Sequence, residues 1–286
     1  MTTLEISFEF FPPKTDTGMT NLLQAATTLA SINPNFFSVT FGAAGSAQTH
    51  TPNTVFKVQE HTSVPTAPHI SCVAATKEMI KALLEKYIQN NIMRLVVLRG
   101  DMPSDTPEAT HHFQYAAELL QFIRQETGNH FTLSVACYPE FHPQTTDHKR
   151  ALFHFKEKVD AGANNAITQY FYNPDAYFKF LDSCRKMDIH IPIIPGIMPI
   201  TNYEKLVLFS KTCGAEIPRW LLYRLESYQH DAKSFEQFSE EVVMQLCEKL
   251  IAGGAPGLHF YSLNKAEPSI NILTSLKLHQ SHPLFS

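Results

Sequence analysis

The chain has 286 residues, of which 44% are hydrophobic and 17% charged, enough apolar material for a sizeable core. Its formal charge of -4, from 23 Lys+Arg against 27 Asp+Glu, argues against a partner among nucleic acids or anionic membranes. No uncharged apolar run of about 18 residues occurs, so no membrane span is expected.

The first ten residues lack a positively charged start ahead of an apolar run, so they read as a strand and not as a signal peptide. Short β-rich runs follow at 4–10, 36–41, 68–73, 94–98, 132–137, 166–171, 191–194 and 258–261. Each is rich in Val, Ile, Phe or Thr and ends at a Gly, Pro or polar residue. Helical patterns lie between them. Over 76–90, Met79, Ile80, Leu83, Leu84, Tyr87 and Ile88 recur at three- and four-residue steps on one face. Thr76 is placed to cap its start, and Lys86 lies near its negative end. Over 149–160, Leu152, Phe155 and Val159 form the apolar stripe, and Gly162 follows where a left-handed residue is needed.

Eight strand-then-helix units in 286 residues match a (β/α)8 TIM barrel read as a single domain over 1–286. A doubly wound sheet that held a dinucleotide would show a G-x-G-x-x-G turn, and neither Gly42-Ala-Ala-Gly45 nor Gly253-Gly254-Ala-Pro-Gly257 has that spacing. The five cysteines (Cys72, Cys137, Cys184, Cys213, Cys247) form no C-x-x-C pair. They read as buried thiols in a reducing compartment, by default the cytoplasm. No zinc-type Cys/His spacing, P-loop or G-x-S-x-G elbow occurs, so no metal is expected.

Barrel catalysis comes from the C-terminal ends of the strands, and here those ends are polar. In the first strand Ile6, Phe8 and Phe10 share one parity, which turns Glu9 inward at the barrel top. Amid Phe8, Phe10 and Phe11 it is expected to be desolvated, raised in pKa and protonated, fit for general-acid work; a Glu on an exposed strand face is the bland alternative. The fourth strand runs into Arg99-Gly100-Asp101, which sets a second carboxylate across the mouth, or makes a salt-bridged turn. Two carboxylates in different settings can divide roles between neutral acid and fixed charge. His69, Tyr138, His142 and Gln169 stand at the ends of the third, fifth and sixth strands.

Ser7-Phe-Glu-Phe-Phe-Pro-Pro13, Ser38-Val-Thr40, Pro68-His69, Leu98-Arg-Gly-Asp101 and Tyr138-Pro-Glu-Phe-His142 resemble methylenetetrahydrofolate reductase, as do Asp160-Ala-Gly-Ala163, Ile167-Thr-Gln-Tyr-Phe171, Ile194-Pro-Gly-Ile197 and His259-Phe-Tyr-Ser-Leu-Asn264. They recur in the family's order along essentially the whole chain. The resemblance implies an FAD barrel that uses NAD(P)H, with NADH expected, to reduce 5,10-methylenetetrahydrofolate to 5-methyltetrahydrofolate for methionine synthesis. It implies that Glu9 protonates folate N10 and that the Asp101 charge stabilises the resulting iminium cation. Gln169, Phe209 and Lys265 would complete the substrate site. FAD would meet Thr40, Ala43, His69, Arg99, Gly100, Asp101, Tyr115, Ala116, Tyr138, His142, His154 and Lys158.

Two positions depart from the family pattern. His154 and Glu157 stand where Asn and Arg often serve the diphosphate, and a Glu cannot replace an Arg electrostatically. Lys265 replaces a frequent Arg, keeping charge but losing bidentate geometry. Self-association is the family's habit, and a C-terminal S-adenosylmethionine-responsive domain is not expected. A proline dehydrogenase-like flavin oxidase and a non-catalytic pterin-binding barrel serving a methyltransferase are the alternatives.

Overall fold

The computed structural model describes residues 4–41, 47–72, 75–100, 112–140 and 147–278. Strands and helices alternate along the chain: β1 (Glu5–Phe10), α1 (Asp16–Ala30), β2 (Phe36–Val39), α2 (Ala47–Thr62), β3 (Thr66–Ser71), α3 (Lys77–Gln89), β4 (Arg94–Leu98), α4 (Ala116–Thr127), β5 (Thr132–Cys137), α5 (His148–Asp160), β6 (Asn165–Thr168) and α6 (Pro174–Lys186). There follow β7 (Ile193–Ile194), β8 (Gly196–Ile197), α7 (Tyr203–Cys213), α8 (Arg219–Tyr228), α9 (Ala232–Ala252), β9 (Gly257–Tyr261) and α10 (Glu267–Ser275).

All strand pairings are parallel, in the order β7-β6-β5-β4-β3-β2-β1-β9-β8. The two ends of that order are halves of one stave. Pro195 separates β7, which bonds β6, from β8, which bonds β9, and having no N–H it cannot continue a ladder. The barrel therefore closes with eight staves. The strand expected over 191–194 is corrected to these two short pieces. Those expected over 36–41 and 166–171 stop early, at Val39 and Thr168.

Gly196 makes the closure possible. A Cβ there would lie 2.2 Å from the Thr168 carbonyl oxygen and 2.7 Å from the Tyr261 ring, so only glycine lets the broken stave approach its neighbours.

Strand alternation splits the apolar residues into two layers. Phe8, Phe10, Phe37 and Phe260 point outward into the main core under the helices, with Phe10 and Phe37 edge to face at 5.1 Å. Burying each such ring contributes about 2–3 kcal/mol. A smaller cluster of Phe36, Ala67, Val96 and Ile167 fills the barrel interior.

The helices follow their sequence signals. The Thr76 side chain accepts from Met79 N at the start of α3, and Lys86 lies in its last turn. The buried stripe there is Ile80, Leu84 and Tyr87. Met79 and Ile88, expected on the same face, are exposed, because they flank the stripe instead of centring it. The α5 helix ends as expected, with Gly162 at φ +105°. All five cysteines are free, and Cys213 is half-buried where full burial was expected.

Candidate active site

Glu9 sits inside the barrel at the top of β1, as its parity predicts. Its side chain is only 17% exposed. Its neighbours differ from those expected. Phe8 and Phe10 point the other way, as adjacent residues in a strand must, and imidazoles surround the carboxylate instead. His69 Nε2 from β3 lies 3.2 Å from Glu9 Oε2, and His259 Nε2 from β9 lies 3.6 Å from the same oxygen.

This corrects the expected protonation state. Burial by itself pushes the Glu9 carboxyl up, but the close imidazoles of His69 and His259 outweigh it and hold it at about 2. Glu9 is a carboxylate here at neutral pH. Any proton it gave up would first have to reach it from a neighbour or from solvent.

The end of β1 is stitched to the end of β9. Ser262 donates its hydroxyl to the Glu9 carbonyl at 2.6 Å. Asn264 accepts from Phe11 N and donates to Phe11 O, both at 2.9 Å. Asn264 sits at φ +58°, a left-handed conformation that Asn tolerates better than most residues.

A cavity of about 550 Å³ opens beside this mouth, between the ends of β4 and β5 and helices α4 and α5. Arg99, Gly100, Tyr115, Ala116, Tyr138, His154 and Lys158, all expected at the cofactor, line it together. Gly100, at φ +80°, turns the chain beyond β4, and the Arg99 guanidinium lies 5.8 Å from the centre of the Tyr115 ring. The Tyr115 ring in turn stacks on His154 at 5.7 Å and 14°.

Lys158 supplies the cavity's most buried cation. It donates to the Ala136 carbonyl, and desolvation lowers its pKa to about 8. Among the described residues it pairs with no carboxylate, so ammonium protons remain for an anion. Glu157, where family members often carry an Arg, contacts His154 Nδ1 through Oε2 at 2.8 Å. A cavity with Arg99, Arg150 and Lys158 and stackable aromatic rings suits an elongated anionic cofactor.

Other expected residues are placed apart from this cavity. Thr40 lies at the top of β2, its N–H bonding Phe10 O at 2.9 Å. Gln169 follows β6 and accepts from Tyr170 N with its own side chain at 3.0 Å. Phe209 is 38% exposed on α7. Lys265 lines a second cavity, of about 660 Å³, with Glu204, Glu236, Glu240 and Glu267. Ala43, Asp101 and His142 lie outside the described residues. Sequence reasoning assigned no role to Ser7, His259, Ser262 or Asn264. The His-Phe-Tyr-Ser-Leu-Asn run that carries three of them was the available signal.

A closed (β/α)8 barrel with a buried acid at a strand end and a cation-lined cavity beside it defines an enzyme of the barrel class. Comparison with known proteins narrows this. A profile of the family "Methylenetetrahydrofolate reductase" matches residues 2–277. The 5,10-methylenetetrahydrofolate reductase of Salmonella typhimurium (strain LT2) is 36% identical over 275 residues, covering 96% of this chain and 90% of that one. That of Escherichia coli (strain K12) is 34% identical over 275 residues, with the same 96% and 90% coverage. Among solved structures, an uncharacterized protein from Clostridium thermocellum, described as binding two copies of 5-methyl-5,6,7,8-tetrahydrofolic acid, superposes with a TM-score of 0.67 over 96% of each chain at 17% identity. At that identity the likeness supports the fold. The chain belongs to the methylenetetrahydrofolate reductase family, whose named members are oxidoreductases.

Proposed function

We propose that this protein uses bound FAD and NADH to reduce 5,10-methylenetetrahydrofolate to 5-methyltetrahydrofolate, as one catalytic unit in the cytoplasm serving methionine synthesis. The observation that carries this reading is Glu9, a carboxylate set among imidazoles at the top of the barrel and next to the cation-lined cavity. The alternatives of an amine oxidase and a non-catalytic pterin carrier give this acid no task.

In this reading Lys158, Arg99 and Tyr115 hold the cofactor, which when bound relays a hydride from the nicotinamide to the folate. Thr40, Ala43, His69, Gly100, Ala116, Tyr138, His142 and His154 complete its contacts. Glu9 gives a proton to N10 of the folate, the N10–methylene bond breaks, and the exocyclic methylene remains on N5 as an iminium cation. Asp101 supplies the fixed negative charge that favours the cation, while Gln169, Phe209 and Lys265 bind the substrate. The protein acts as a homo-oligomer.

The test is spectroscopic. Purified protein shows flavin absorbance, NADH bleaches it without oxygen, and methylenetetrahydrofolate restores it. Colourless protein unable to take up FAD would favour the pterin carrier. Bleaching that methylenetetrahydrofolate does not reverse would overturn the folate assignment.

A further inference from the structure

The cavity of about 660 Å³ that Lys265 shares with four glutamates lies between the first turn of α7, the first half of α9 and helix α10. Its charge is unbalanced. Glu204, Glu236, Glu240 and Glu267 face Lys265 alone among the strong bases that line it. Among the described residues none of these five makes an ion pair. Glu204 and Glu267 stand in the first turns of α7 and α10, where they complement the positive helix ends. Glu236 and Glu240 lie beyond the first turn of α9. Four residues apart on one helix face, they repel each other without that compensation. Ser275 donates its hydroxyl to Glu240 Oε1 at 2.9 Å, which leaves Oε2 for another donor.

Ser239 is an independent sign of a ligand. It belongs to the buried stripe of α9 with Val243, Leu246, Cys247 and Leu250. It is only 2% exposed, and it lines the same cavity. Hydroxyls elsewhere in the helices donate to the carbonyl four residues back, as those of Thr27, Thr54 and Ser183 do. The Ser239 hydroxyl has no partner among the described residues. A polar atom buried in this way is destabilising, and a ligand that bonds it removes the cost.

We infer that this cavity binds a linear aliphatic polyamine, whose ammonium groups meet Glu236, Glu240 and Ser239. The lining is net negative and repels an anion. Among the described residues no three His, Cys, Asp or Glu side chains converge to hold a metal ion, so the carboxylates suit charges spaced along a chain. Phe235 and Ile272 give the cavity an apolar wall that methylene segments can cover and a hydrated inorganic cation cannot. An ammonium group carries several N–H donors and no acceptor, so one group can serve a carboxylate and the Ser239 oxygen together. Binding is non-covalent and does not depend on the reaction proposed above.

The test is calorimetric titration of the purified protein with spermidine, and separately with magnesium chloride, in about 0.05 M salt, where screening is weak. Spermidine should fill one saturable site. The pair Glu236→Gln and Glu240→Gln should weaken it by roughly tenfold or more. The pair Glu241→Gln and Glu248→Gln, exposed on the same helix outside the cavity, should leave it unchanged. Ser239→Ala forfeits no hydrogen bond among the described residues. Without spermidine it should melt at or above the wild-type temperature, yet it should bind spermidine more weakly and gain less melting temperature from it. A serine that served only packing would not show both effects. No saturable spermidine binding, equal weakening by the two glutamine pairs, magnesium binding as tight as spermidine binding, or wild-type spermidine affinity in Ser239→Ala would each overturn the inference.

Discussion

Asn264 pairs with the backbone of Phe11 through both ends of its amide, joining the strand that carries Glu9 to the strand that carries His259 across 253 residues of sequence. The two hydrogen bonds act as one more rung of the β1–β9 ladder, made by a side chain after β9 has ended. Asn264→Ala hands a donor and an acceptor of the exposed Phe11 backbone to water and puts Ala at positive φ. The expected cost is about 1 kcal/mol of stability, read as a lower urea midpoint at unchanged slope. Folate reduction should suffer more than flavin reduction, since the Glu9 end of β1 is what loosens.

Glu140 links the loop after β5 to the segment between α7 and α8, accepting from Glu216 N at 2.7 Å. Burial pushes its carboxyl up to about 7 from 4.5, against the smaller opposing effect of that hydrogen bond. A carboxyl raised in the folded state binds its proton more tightly there than in the unfolded chain. Its contribution is therefore fully present below the unfolded value and fades as pH rises toward the folded one. Wild-type protein should lose melting temperature between about pH 4.5 and 7 by an amount that Glu140→Gln removes. A variant whose melting temperature follows the same pH curve as the wild type would contradict this.

Lys158 and Glu157 occupy neighbouring positions on α5 with opposite expected effects on the cofactor. Lys158→Met removes a buried cation, and FAD binding should weaken by at least about tenfold, equivalent to about 1.4 kcal/mol. Glu157→Arg breaks the His154 pair and adds a cation, so FAD should bind more tightly, with a steeper salt dependence. Titration of the apoprotein with FAD, followed by flavin fluorescence, measures both. Weaker binding by Glu157→Arg would show that the His154–Glu157 pair itself supports the cofactor.

The fold was legible where its signals are local. Strand parity turned Glu9 inward, and Thr76 and Gly162 marked helix ends at the right residues. The strand expected over 191–194 ends where Pro195 breaks the ladder, but nothing in the sequence reading placed its resumption at Gly196–Ile197. The long-range partners of Glu9 were not legible. A strand's parity says which way a side chain points, and only the register of other strands says what it meets. Thus Phe8 and Phe10, adjacent in sequence, pack on the far side of the sheet, whereas His259 stands beside the acid. The error in protonation followed directly, because desolvation was weighed without the imidazoles that oppose it.

In the proposed reaction Glu9 is the acid of the folate step and has no part in flavin reduction. Glu9→Gln keeps the shape of the side chain and removes its transferable proton. The decisive measurement is anaerobic stopped-flow of both half-reactions on this variant. FAD should be retained, reduction by NADH should run near the wild-type rate, and reoxidation by methylenetetrahydrofolate should slow by roughly 100-fold or more. Equal slowing of the two half-reactions, or reoxidation at the wild-type rate, would contradict this.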